Sequence, residues 1–170
     1  MSNKTKETDL WATPWWVFRF AERYFLKNKF TLDAAANKLN KKCDQFITQE
    51  QNSLNMNWSK LSNKVWCNPP YSNPLPFVKK AIEQAQKGVE VVMLLNADNS
   101  TQWFKLCVEN ASEFVFVINK RIPFLHCETQ KESKSGGSKP QFFVYFKPEK
   151  DRPLITSYIS LEDIKMVGKE

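Results

Sequence analysis

The sequence predicts an α/β fold, a mainly parallel sheet held between two helical layers as a three-layer sandwich, and three observations carry that prediction. Short apolar strand candidates alternate with amphipathic helical stretches along the chain. The helical stretches carry their own boundary residues, prolines at a start and a glycine past an end. The 170 residues, 42% hydrophobic and 14% aromatic, suffice for one domain with a real core and leave little chain for a separate recognition domain.

In chain order, Pro14–Phe25 reads as a helix, Phe30–Ala35, Gln45–Thr48 and Lys64–Asn68 as strands, and Pro74–Lys87 as a second helix. Pro74 and Pro76 fall in its first turn, where a missing N–H costs little, and Gly88 marks its exit. Glu90–Asn96 is a strand, Thr101–Glu109 a third helix, and Glu113–Asn119 and Gln141–Phe146 further strands. Residues 131–139, with glycines, serines and three lysines, read as an exposed flexible loop joining the last two strands. The tail 149–170 holds enough apolar residues for a peripheral strand or helix, outside a core of 10–148. Trp66, Phe114, Phe116, Phe142 and Phe143 are expected in the core, whereas of Trp15 and Trp16 one packs inward and the other lines a pocket. Ligands of such a sheet bind beyond the carboxyl ends of its strands, where Asp33 and Asn68 both fall.

An excess of 25 basic over 18 acidic residues, net +7, favours a polyanionic partner. Lys120, Arg121 and the lysines of 131–139 are candidates to meet phosphate. Cys43, Cys67, Cys107 and Cys127 stand far apart beside a single histidine, His126, so no metal site or disulfide framework is suggested and the thiols are expected reduced and mostly buried. His126 reads as a surface or loop residue. The polar segment 1–9 and the lack of an apolar run of membrane length lead to the expectation of a cytoplasmic protein without a membrane partner.

The motif that carries chemistry is Asn68-Pro69-Pro70-Tyr71, directly after the apolar run Val65-Trp66-Cys67. An exocyclic amine conjugated to an aromatic base is a poor nucleophile, and two acceptors beside its N–H bonds would draw its lone pair out of the ring. The Asn68 side-chain oxygen and the Pro69 carbonyl can be those acceptors, the prolines restrict the backbone, and Tyr71 offers a stacking face.

On these residues the sequence resembles the S-adenosylmethionine (SAM) dependent amino-methyltransferases, and more closely the phage-type DNA N6-adenine methyltransferases called Dam-like. The resemblance runs from about Thr13 to Pro148, in order. Thr13-Pro14-Trp15 looks like the leading segment, Phe30 to Ala36 like the first SAM-contacting strand and turn, and Val65 to Ser72 like the catalytic strand and loop. Val91 to Leu95 is similar to the next core strand, and Arg121-Ile122-Pro123-Phe124 to a late arginine-and-aromatic strand. It implies a Rossmann-like class I SAM-dependent methyltransferase fold, with catalytic Asn68, Pro69, Pro70 and Tyr71. For the cofactor it implies Thr13, toward the methionine carboxylate or as a plain helix N-cap, with Pro14 and Trp15; Asp33, toward the methionine ammonium or a water; the small Ala34 and Ala35; and Asn57, where relatives tend to be acidic. Asp44 or Glu50 would take the ribose hydroxyls. The turn Asp33 to Asn37 contains no glycine, a departure from commoner methyltransferases. The implied reaction is direct transfer to a flipped adenine in duplex DNA, without a covalent enzyme intermediate. N4-cytosine, RNA or a protein glutamine would want nearly the same claw, and a nucleic-acid-binding relative without catalysis is the alternative of another class. Oligomeric state and recognition sequence are not legible.

Overall fold

The computed structural model describes residues 11–133, 139–149 and 153–169. Its elements are β1 (Trp11–Ala12), α1 (Trp15–Ala21) running into a π-helical turn (Glu22–Leu26), β2 (Leu32–Asp33), β3 (Gln45–Phe46), short 3-10 turns at Ser53–Asn55 and Trp58–Lys60, β4 (Lys64–Cys67), α2 (Leu75–Gln86), β5 (Glu90–Asn96), α3 (Gln102–Asn110), β6 (Glu113–Ile118), β7 (Leu125–His126), β8 (Gln141–Phe146), β9 (Ile155–Ser160) and α4 (Leu161–Lys169). Seven strands form one sheet in the order β3-β2-β4-β5-β8-β6-β9. Only β8 runs antiparallel to its neighbours, and every other pair in this sheet is parallel. β1 and β7 form a separate antiparallel pair.

Successive strand residues face opposite sides, so each central strand feeds two cores. Val65, Cys67, Val91, Met93, Leu95, Phe142 and Val144 pack with Val78 and Ala81 of α2 and Trp103 and Cys107 of α3. Trp66, Val92, Leu94, Phe143 and Tyr145 pack on the other side with Val17, Phe18 and Phe20 of α1 and Leu161 and Ile164 of α4. Helices therefore cover both faces, the expected three layers. Trp66, Phe114, Phe142 and Phe143 are buried as expected, while Phe116 is half-buried and stacks on the exposed Tyr158 of β9. All four cysteines are free and buried. Among the described residues no helix is long and apolar enough to cross a membrane.

The helix ends follow their expected chemistry. Pro74 is the N-cap of α2. Past its end, Gly88 sits at φ +94° and donates to the Ala85 carbonyl at 3.0 Å, and the Val89 N–H donates to Gln84 at 3.1 Å. Thr101 caps α3 by accepting the Phe104 N–H at 3.3 Å.

Two expectations are corrected. Arg121–Phe124 is irregular chain rather than a strand: Pro123 has no N–H to give a ladder, and the Ile122 N–H goes to the Gln141 side chain at 3.0 Å. Pairing resumes only at β7. The segment 131–139 therefore connects β7 to β8, and the last strand is β9; residues 134–138 lie outside the described residues.

The tail supplies both a strand and a helix. β9 adds the outermost strand beside β6, and α4 returns across the sheet to lie against α1. The contact is backbone-tight: a Cβ added at Gly168 would stand 1.9 Å from the Trp16 carbonyl oxygen, and the Arg23 guanidinium donates to the Val167 carbonyl. Gly168→Ala must push α4 off α1, and is expected to lower unfolding stability by about 1–3 kcal/mol in urea denaturation; an unchanged midpoint would mean that the two helices do not meet in this way.

Candidate active site at the carboxyl ends of β2 and β4

β4 ends at Cys67, so Asn68 is the first residue beyond the sheet. Its neighbour β2 ends at Asp33, opposite Trp66, and the Ala34 N–H donates to the Trp66 carbonyl at 2.9 Å. The two expected site residues thus stand at adjacent strand ends. The Asn68 amide donates to the Thr13 hydroxyl at 2.9 Å. That fixes the carboxamide and leaves its Oδ1 buried, with no partner among the described residues. A buried acceptor without a donor costs about 1–3 kcal/mol and is uncommon in native structures. Among the described residues no backbone N–H donates to the Pro69 carbonyl, whereas the Pro70 carbonyl takes the Asn73 N–H at 3.2 Å. Two free acceptors therefore occur in succession.

Tyr71 is half-buried, with its hydroxyl donating to the Leu94 carbonyl of β5 at 3.2 Å and its ring edge-on to Phe124, centroids 5.8 Å apart. Burial raises its phenol well above the ordinary value, and the Cys67 thiol likewise. Neither group is an anion near neutral pH, so neither is a base or nucleophile.

Thr13 does not cap α1. Pro14 is the N-cap residue, its carbonyl accepting from Val17 and Phe18 at 3.1 and 3.2 Å, and the threonine hydroxyl is engaged by Asn68 instead. Pro14 is buried. Trp15 is 49% exposed, with the Lys42 ammonium 4.5 Å above its ring. Trp16 is half-buried, with the Lys165 ammonium 5.3 Å from its ring.

Asp33 is 2% exposed and organises the turn after β2. One oxygen accepts the Lys42 N–H at 2.9 Å and the other the Ala35 N–H at 3.4 Å. Burial pushes its carboxyl up to about 6, although those N–H groups and the Lys42 charge pull it down. Ala34 is buried and Ala35 half-buried, so only methyl groups project from this part of the turn. Lys42 is the neighbour that sequence reasoning missed: in Lys41-Lys42 it reads as a solvated pair, yet burial lowers its ammonium below the ordinary value.

Asn57 is placed differently. Its side-chain oxygen accepts from the Ser59 hydroxyl at 2.8 Å, and the Ser59 N–H donates at 2.8 Å to Gln84, near the end of α2. Glu50 lies past the carboxyl end of β3, whereas Asp44 precedes that strand. Both are exposed. His126 is half-buried in β7, edge-on to Trp11. Lys120 pairs with Glu162 at 3.0 Å, and Lys139 is bound to Asp98.

The raised Asp33 carboxyl has a sign. Because the folded state binds this proton more tightly than the unfolded chain, the residue's stabilising contribution is full below about pH 4 and is lost as pH rises through about 6. Asp33→Asn is expected to remove this component, on the order of 3 kcal/mol. Urea unfolding of both proteins at pH 4 and pH 7 checks it; parallel pH profiles would count against an elevated Asp33.

The model of the family described as DNA N-6-adenine-methyltransferase (Dam) matches residues 1–170. A DNA N-6-adenine-methyltransferase of Haemophilus phage HP1 (strain HP1c1) is 49% identical over 169 residues, 98% of this chain and 95% of the relative. A protein of the same description from Escherichia phage T1 is 48% identical over 109 residues, 64% of this chain and 44% of the relative. With the family model matched from first residue to last and nearly half the residues shared with a relative of almost equal length, the chain belongs to the DNA N-6-adenine-methyltransferase (Dam) family.

Proposed function

We propose that this chain methylates the exocyclic N6 of adenine in duplex DNA, with S-adenosylmethionine as methyl donor and Asn68 and Pro69 as the groups that activate the amine. One observation carries the reading: the buried, unpartnered Asn68 Oδ1, held in place by Thr13 and followed by the free Pro69 carbonyl. An amine has two N–H bonds, and two acceptors in succession match them. Accepting both removes the lone pair from conjugation with the ring, which is what attack on a methyl group requires.

SAM, when bound, would supply a sulfonium methyl that a nitrogen lone pair can attack directly, with the neutral thioether as leaving group. Asp33, Ala34, Ala35, Thr13, Pro14 and Trp15 are the residues that would hold it. The fit rests on the Asp33 carboxyl, pushed up by burial to about 6 and so still ionised near neutral pH, on the methyl-only lining at Ala34 and Ala35, and on the remaining proton of the Thr13 hydroxyl, which is free to donate to a carboxylate. Asn57 joins this set only by exchanging its bond to Ser59 for one to the cofactor. Tyr71 presents its ring to the base, which must leave the duplex stack to reach Asn68. The neutral Tyr71 and Cys67 leave water to take the proton released from nitrogen.

The test is transfer of labelled methyl from SAM to unmethylated duplex DNA, followed by nucleoside digestion. N6-methyladenine is the expected product; label only in RNA, protein or cytosine would replace the substrate, and no SAM binding would favour a non-catalytic nucleic-acid-binding module. Asn68→Ala is expected to lower turnover at least about 100-fold with little change in SAM affinity, because its acceptor acts on the reacting amine alone. Thr13→Val, which frees the carboxamide to rotate, is expected to lower turnover about tenfold, with Thr13→Ser close to wild type; equal rates for Val and Ser would separate Thr13 from orientation of Asn68.

A further inference from the structure

Gln141 opens β8 at the same edge of the sheet, 1% exposed, and nothing above gives it a role beyond holding Ile122. A backbone N–H can only donate, so the Ile122 N–H at 3.0 Å requires the carboxamide oxygen to face it and turns the amide NH₂ the other way. That Nε2 is buried and has no partner among the described residues. Among the described residues, the side-chain amides thus leave two buried atoms unpaired, of opposite polarity: the Asn68 acceptor and the Gln141 donor.

Register places both at one end and on one face. Cys67 pairs with Met93, so Asn68 follows at the level of Leu94, and Gln141 pairs with Asn96 two residues further along β5. Trp66, Leu94 and Phe143 share the face covered by α1, and Gln141, two residues before Phe143, projects from it too. The loop between them closes the ring: Ile122, bound by Gln141, is two residues from Phe124, which touches Tyr71.

We propose that the Gln141 amide donates to a ring nitrogen of the flipped base, beside the amine held by Asn68, and so discriminates against a base without an acceptor at that position. The proposal rests on the methyltransferase reading above. Adenine places acceptors, N1 and N7, on either side of its N6 donor. A paired acceptor and donor in the protein match that edge. Guanine sets its O6 acceptor against the Asn68 acceptor whichever ring nitrogen Gln141 faces, and on the N1 side it adds a donor N1–H against the Gln141 donor. A site whose buried polar groups stay unpaired with the wrong base rejects it strongly. Neither protein atom touches solvent, so the base reaches them by displacing their present cover.

The experiment starts from the adenine methylated in a natural duplex, which also tests the function itself: if no adenine is methylated, the broader reading fails first. That adenine is then replaced by 1-deazaadenine or 7-deazaadenine, and wild type is compared with Gln141→Met. The expected result is a roughly 10- to 100-fold loss of kcat/KM for wild type on one of the two analogues. Gln141→Met should show a similar loss on normal adenine with unchanged SAM affinity, and no further loss on that analogue. Wild type methylating both analogues as fast as adenine would overturn the proposal. So would a Gln141→Met penalty that is the same on adenine and on both analogues, the mark of a purely structural role. If Gln141→Met does not fold, Gln141→Glu keeps the acceptor for Ile122 and loses the donor when ionised, and is read the same way.

Discussion

The hydrogen bond from the Asn68 amide to the Thr13 hydroxyl is where the two ends of the fold meet. A carboxamide alone can turn over, exchanging acceptor for donor. With its NH₂ engaged it presents only oxygen to whatever enters. The bond in turn demands that Thr13 be held. On one side β1 pairs with β7, and on the other the Pro14 carbonyl starts α1, whose apolar face is sunk into the sheet through Val17, Phe18 and Phe20. The chemistry of one side chain thereby depends on the core beneath α1 and on a helix far upstream in the sequence.

The proposed site is one of uncharged polarity. The atoms nearest the expected reaction are a carboxamide oxygen, a backbone carbonyl and a phenol, and burial keeps the phenol and the neighbouring thiol protonated. Charge is kept to the next strand end, in Asp33 and Lys42. Individual basic residues are locally engaged, Lys120 on Glu162, Lys139 on Asp98 and Lys42 over Trp15. Net charge alone is thus a poor map of where a polyanion would lie.

The class of fold was legible because strands such as Glu90–Asn96 and Gln141–Phe146 are long apolar runs whose limits are set by polar neighbours, and because Pro74 and Gly88 bracket α2 by backbone chemistry alone. Short strands were less so. Phe30–Ala35 was expected where only Leu32–Asp33 form the strand, since past Ala34, which still bonds Trp66 of β4, the chain turns and the Ala35 N–H bonds the Asp33 carboxylate. Arg121–Phe124 failed as a strand because a distant glutamine side chain takes the N–H a partner strand would need. Asp33 and Asn68 could be placed at strand ends from pattern, but the role of Thr13 could not. Its bond is tertiary, and locally Thr-Pro reads equally well as a helix cap.

The close fit of Gly168 under the Trp16 carbonyl has a bearing on how such a chain comes to be made. Helices α1 and α4 are separated by nearly the whole sequence, so their contact is among the last that a ribosome-bound chain can form. Until α4 arrives, the segment that steadies Thr13 is braced on one side only. A chain deprived of α4 would then hold Thr13, and through it the Asn68 carboxamide, less firmly.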